Sequence, residues 1–196
     1  NPMNPYSATK ASSDMLVQAF VNTYGISAVI TRCSNNYGPN QFPEKLIPLM
    51  TLNALSGKKM PVYGDGNQIR DWIHVSDHVS GIIDCMDGIV KGSFNSGEVF
   101  NFGSDTELRN IDIVKKIIEI TGSDENLIEY VDDRPGHDRR YAMGFDKAQS
   151  VLGWVPNTNW QEGIISTIQW YQENDDWLEV TMSGKYLDWI ESHYGG

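Results

Sequence analysis

The sequence predicts an α/β fold, and three observations carry the prediction. Short, β-branched apolar runs alternate with segments whose apolar residues recur at helical spacing. Turn signals built from Gly, Pro and Asn separate them. Of 196 residues, 40% are hydrophobic and 21% charged, a globular balance that excludes a disordered chain and leaves a core to bury.

Taken in order, Asn4 can cap a helix whose first turn holds Pro5, with Ala8, Ala11, Met15, Ala19 and Phe20 recurring until Gly25. Residues 26–33 read as a buried strand, followed by the turn-rich Ser34-Asn35-Asn36-Tyr37-Gly38-Pro39. A second helix is expected over Leu46–Leu55, ending near Gly57. A short strand at 61–63 enters Gly64-Asp65-Gly66, which reads as a hairpin turn, since a phosphate loop would need a third glycine and a following helix. Residues 70–74 form another strand, and Ser76 is expected to cap a helix running to about Met86. After a strand at Val99–Phe102, Asn110 caps a helix carrying Ile111, Val114, Ile117 and Ile118 and closing at Gly122. A strand at 127–131 follows. Thr158 and Gln161 suggest a capping box for a helix through Trp170, with a last helix near 186–190.

The net charge of -11 is uneven: residues 1–98 carry -1 and residues 99–196 carry -10. Such a surface repels a nucleic-acid backbone, and no basic stripe offsets it, so no nucleic-acid partner is expected. The exception is residues 132–141, where Arg134, Arg139, Arg140 and His137 gather around the turn formers Pro135 and Gly136. Clustered guanidiniums suit bidentate capture of a small anion, a phosphate or carboxylate. Taken alone, the same stretch also reads as a solvated loop with internal Arg–Asp pairs. Cys33 and Cys85, 52 positions apart, match no redox or zinc spacing and read as free thiols. With no membrane-length apolar run, no membrane partner is expected and a cytoplasmic setting is the default. His74 and His78 stand four apart, but no Glu follows the first, so a structural role is favoured and no metal site is expected.

Tyr6 and Lys10 share one face of the first helix. A lysine near a phenol favours the phenolate, which can act as general base towards an alcohol. The bare spacing is common. Its place in the first turn of a helix that leads to a strand and an Asn-Asn-Tyr-Gly-Pro loop is not.

With Tyr6–Lys10, the Cys33–Pro39 loop, residues 42–48, 62–66 and 68–72, Asn101-Phe102-Gly103, the Arg134–Tyr141 stretch, Leu152-Gly153-Trp154 and 183–190, the chain resembles the C-terminal part of an extended short-chain dehydrogenase/reductase. Within the NAD-dependent epimerase/dehydratase family it is most similar to the dTDP-glucose 4,6-dehydratases, and the likeness runs almost end to end. The Arg-Pro-Gly-His-Asp-Arg-Arg-Tyr stretch is the most particular element.

That resemblance implies the end of a Rossmann-like NAD-binding domain at 1–36 and a small α/β substrate-binding domain over 37–196, with 75–102 returning to the Rossmann sheet. It implies conversion of dTDP-glucose to the 4-keto-6-deoxy sugar and water: NAD oxidises C4, water leaves across C5–C6, and the hydride returns to C6. Tyr6 would be the base and Lys10 would bind the nicotinamide ribose, with Asn36 near the nicotinamide. The dTDP-sugar would be held by Asn35, Lys45, Leu46, Pro61, Tyr63, Arg70, Asn101, Arg134, His137 and Tyr194. A homodimer through the Tyr6 helix is also implied.

The chain departs from the family in lacking the strand–Gly-x-x-Gly-x-x-Gly–helix fingerprint and the Thr-Asp-Glu segment that supplies the dehydration acid and base. The expectation is therefore an N-terminally incomplete copy, inactive by itself, with apolar surface left uncovered. The alternatives are a UDP-sugar epimerase or decarboxylase, and a sugar-nucleotide-binding module without turnover.

Overall fold

The computed structural model describes Pro2 and residues 4–182; Tyr194 and the helix expected near 186–190 lie outside the described residues. The first helix, α1 (Pro5–Tyr24), begins as expected. The Asn4 side chain accepts from the Ser7 amide, and Gly25 ends the helix in the left-handed region that glycine enters without strain. Its orientation differs from the expected one. Ala8, Met15, Ala19 and Phe20 point to solvent, while Ser7, Ala11, Asp14, Val17, Gln18 and Val21 form the half-buried face. The helix buries no residue fully, and two polar anchors hold it: Asp14 to Arg32, and Gln18 to the Gly97 carbonyl.

The remaining strands are β1 (Ile30–Cys33), β2 (Asn35–Tyr37), β3 (Met60–Tyr63), β4 (Ile69–His74), β5 (Val99–Phe102), β6 (Glu107–Arg109), β7 (Ile128–Val131) and β8 (Arg140–Tyr141). The helices are α2 (Leu46–Leu55), α3 (Val75–Lys91), α4 (Asn110–Thr121), α5 (Asp146–Leu152), α6 (Trp160–Glu173) and α7 (Asp175–Met182). β4 is the hub: it pairs β2 and β8 in parallel and β6 antiparallel. β1 pairs β5 in parallel, and β3 pairs β7 in parallel.

Several expectations change. The turn at Gly64–Gly66 is not a hairpin, because β3 and β4 lie in different sheets. The strand expected from residue 26 starts at Ile30. His74, not Ser76, caps α3, its ring accepting from the Ser76 amide. Arg109 precedes α4 and Asn110 is its first residue. Asn159 caps α6, accepting from Gln161 and Glu162 amides, so no Thr158 box forms. The short β2, β6, β8, α5 and α7 carried too little periodic signal to be read.

Two apolar cores result. In the first, Ile111, Ile113, Val114, Ile117 and Ile118 of α4 meet Ile47 and Met50 of α2, Ile164 and Ile168 of α6, and Met60, Val62 and Trp72 of the strands. Each such side chain contributes roughly 1.5–3 kcal/mol when fully buried. In the second, Phe100 and Phe102 of β5 pack with Cys85 of α3, Ala148 of α5 and Trp154. Asp77 of α3 links Trp154 to the segment before α6, its carbonyl accepting from the Trp154 indole and its carboxylate from the Thr158 amide. Among the described residues no helix is long and apolar enough to cross a membrane.

Candidate active site

Two groups of predicted residues come together, and one tyrosine links them. The first group surrounds the start of α1. Tyr6 is 71% exposed, and the Lys10 ammonium lies 5.9 Å from its ring centroid. Cys33, at the end of β1, is near Lys10; burial pushes its thiol up, and the Lys10 charge and an Asn36 hydrogen bond work against that rise. Asn36 on β2 is fully engaged. Its amide donates to Cys33 Sγ and the Ser34 carbonyl, both at 3.1 Å, and its oxygen accepts from His78 Nδ1 at 2.9 Å. Burial pulls His78 down, which keeps the imidazole neutral at pH 7 and suits it to that single Nδ1–H donation. His78 was read as structural on spacing alone; its hold on Asn36 gives it a position beside the site. Asn35 is the register partner of Trp72.

The second group is the arginine loop and the strands beneath it. Arg70 is only 8% exposed; its guanidinium donates to the carbonyls of Ile69 at 2.7 Å and Asp138 at 2.8 Å. Burial, opposed by Asp138, pulls it below the ordinary arginine value, and the nearby Arg134 guanidinium pulls the same way. The Arg134 guanidinium itself has no hydrogen bond or ion pair among the described residues. The Asp133 carboxylate also acts on Arg70, so this group gathers two carboxylates as well as the two guanidiniums. The His137 side chain is 5% exposed, its Nδ1 lies 2.6 Å from Asp133 Oδ1, and its ring meets the Tyr63 ring edge-on at 6.3 Å. The other two arginines brace the loop. Arg139 reaches Asp65 at 3.1 Å and Arg140 holds both oxygens of Glu107 at 2.6 Å, rather than the neighbouring Asp132, Asp133 and Asp138.

Tyr141 is the link. It is the register partner of Arg70 across β4 and β8, and its hydroxyl donates to the Cys33 carbonyl at 3.1 Å. Burial pushes its phenol up, with Cys33 and Tyr6 adding to the rise. Its position at the end of the Arg-Arg-Tyr run was the only signal in the sequence.

The other predicted residues are more scattered. Asn101 on β5 is the register partner of Arg32, and its side-chain oxygen is buried without a hydrogen-bond partner among the described residues. Pro61 lies on β3 beside Tyr63. Lys45 precedes α2, paired with Glu44 at 2.6 Å, and Leu46 packs on the first core, so neither is bonded to the two groups.

A model of the GDP-mannose 4,6 dehydratase family matches residues 1–167. A dTDP-glucose 4,6-dehydratase of Shigella flexneri is 48% identical, over all of this chain and 55% of that protein. One from Neisseria meningitidis is 47% identical, over 94% of this chain and 54% of its own length. Among solved structures, the dTDP-glucose 4,6-dehydratase of Bacillus anthracis in complex with NAD superposes with a TM-score of 0.82 at 46% identity, covering 92% of this chain and 56% of that one. That of Streptomyces venezuelae gives 0.87 at 40% identity, over 92% of this chain and 55% of that one. The chain thus spans about half the length of the curated relatives it matches. It belongs to the GDP-mannose 4,6-dehydratase family.

Proposed function

We propose that this chain carries the substrate-binding and proton-transfer half of a dTDP-glucose 4,6-dehydratase site. The observation that carries the proposal is the pair of guanidiniums: a buried Arg70 close to an Arg134 that is unpaired among the described residues would suit a small anion such as a diphosphate, with the Asp138 and Asp133 carboxylates partly offsetting their charge. Arg70, Arg134 and His137 would hold that diphosphate, with Tyr63 and Pro61 against the base. Asn101, whose side-chain oxygen is unpartnered, Asn35, Lys45 and Leu46 would complete the sugar and nucleotide contacts.

The residues around α1 fit the nicotinamide end of NAD: an exposed phenol, an ammonium beside it and a locked amide at Asn36. Bound NAD would supply the hydride acceptor for C4 and the donor for C6. Tyr6 would take the C4 hydroxyl proton, and the attraction of Lys10 for the ring grows once the phenol loses its own. Asn36, held at both ends of its amide, would present a fixed surface, and His78 would keep it from flipping. Residues 1–36 with 75–102 would belong to the cofactor domain and the rest of 37–196 to the substrate domain; the first core lies within the latter, while the second draws side chains from both. The free thiols suit a reducing, cytoplasmic setting, and the exposed apolar face of α1 suits a homodimer.

Isothermal calorimetry of the chain with dTDP, UDP and NAD⁺ separately tests the proposal. The expected result is dTDP binding, weaker UDP binding, and loss of both in Arg134→Ala. Equal affinity for UDP would remove the thymidine assignment, and no nucleotide binding would remove the function.

A further inference from the structure

Gln68 is 2% exposed and lies immediately before β4, where nothing in the proposed chemistry uses it. Its amide nitrogen donates to Asp133 Oδ2 at 2.9 Å and is 3.3 Å from the Tyr63 carbonyl. The other Asp133 oxygen meets His137 Nδ1 at 2.6 Å and accepts from the Arg134 amide at 2.9 Å. The Tyr63 and His137 rings then close the circuit edge-on. Four residues from three chain segments thus fix one another in a ring: Gln68, Asp133, His137 and Tyr63.

The surroundings are shaped to let this ring form. A Cβ at Gly64 would lie 3.2 Å from Asp133 Oδ2 and 3.3 Å from Gln68 Nε2, at a backbone φ of +57° that side chains rarely adopt. The Gln68 oxygen is buried without a partner among the described residues. An apolar residue would fill the space without that cost, so the amide is present for its nitrogen.

We propose that Gln68 is a positioning residue for the anion site: its amide fixes the Asp133 carboxylate, and the carboxylate fixes the plane of the His137 imidazole beside Tyr63. The role of His137 towards the diphosphate rests on the function proposed above, whereas the Gln68–Asp133–His137 relay rests on geometry alone. The lowered Asp133 carboxyl, with the His137 hydrogen bond as its largest cause and the Gln68 amide among the rest, agrees with such a relay.

Two measurements on the 196-residue chain separate relay from function. The first is ¹⁵N NMR of the His137 ring in the free chain at about pH 8.5, well above an ordinary imidazole midpoint. The expected parent signal is one tautomer with its proton on Nδ1; Gln68→Met and Asp133→Asn should each shift it towards the Nε2–H form. The second is calorimetry with dTDP. Gln68→Met should weaken binding by about tenfold, the scale of one misplaced hydrogen-bonding group, and should add less than about twofold on top of His137→Ala.

An unchanged tautomer in both variants, or fully additive losses in the double variant, overturns the proposal. If the parent binds no dTDP, the proposed function fails, and the NMR result alone decides the relay. If circular dichroism shows that Gln68→Met does not fold, Asp133→Asn carries both measurements, because Asp133 is exposed.

Discussion

Four basic side chains between the end of β7 and the start of β8 perform different tasks, and their partners decide which. Arg139 and Arg140 are neutralised by Asp65 and Glu107, His137 leans on Asp133, and Arg134 alone keeps its guanidinium unpaired among the described residues. Arg134→Ala should therefore cut dTDP affinity by at least tenfold, the scale of one charge-assisted hydrogen bond, while Arg140→Ala changes loop stability more than affinity. Calorimetry beside thermal unfolding distinguishes the two. A pH dependence follows from the same pairs. Arg140 holds the Glu107 carboxyl below its ordinary range, His137 does so for Asp133, and the Asn67 side chain and amide do so for Asp65. A carboxyl lowered in the folded state contributes stability above its unfolded value, and this is lost as pH falls through the folded value. The urea midpoint should fall below about pH 4, and Glu107→Gln should flatten part of that fall.

Helices α1 and α3 show how an element can be legible while its packing is not. The caps of α1, Asn4 and Gly25, were readable because they act within one turn. The face it turns inward was not, because Asp14 and Gln18 anchor it through partners at Arg32 and Gly97, far along the chain. α3 buries Asp77, Gly81, Cys85 and Gly88, a stripe that includes two glycines. At Gly81 an added Cβ would lie 2.3 Å from the Phe102 ring, so the glycine sets how closely α3 approaches β5. Gly81→Ala should cost about 1–3 kcal/mol through overpacking, measured as a lowered denaturation midpoint with unchanged helix content. The missing cap at Ser76 has a related cause: the His74 ring lies 2.7 Å from Ser76 Oγ and accepts from the Ser76 amide, a role the preference for small caps does not anticipate.

At the scale of the whole molecule, α1 and α3 present apolar side chains outward. Leu16, Phe20 and Tyr24 recur at helical spacing on α1, and Val79, Ile83, Met86 and Val90 on α3. Val90 is 86% exposed, and an apolar stripe of this length suits a packing partner, a second copy or another polypeptide segment. The chain should self-associate in light scattering, and Ile83→Glu with Met86→Lys should reduce it; a monodisperse monomer without those changes would count against the expectation.

The sequence by itself determined the α/β class, both ends of α1 and α2, the apolar face of α4 and the identity of the residues around Tyr6, Lys10 and the arginine loop. Those features depend on periodicity, capping and residue chemistry within a few positions. Only the tertiary structure decided that Arg139 and Arg140 are braces while Arg134 is unpaired among the described residues, that Gly64–Gly66 joins two sheets, and that Tyr141 links the loop to Cys33. Each of these depends on which residues distant in sequence become neighbours, and strand pairing through the β4 hub sets that, not local preference.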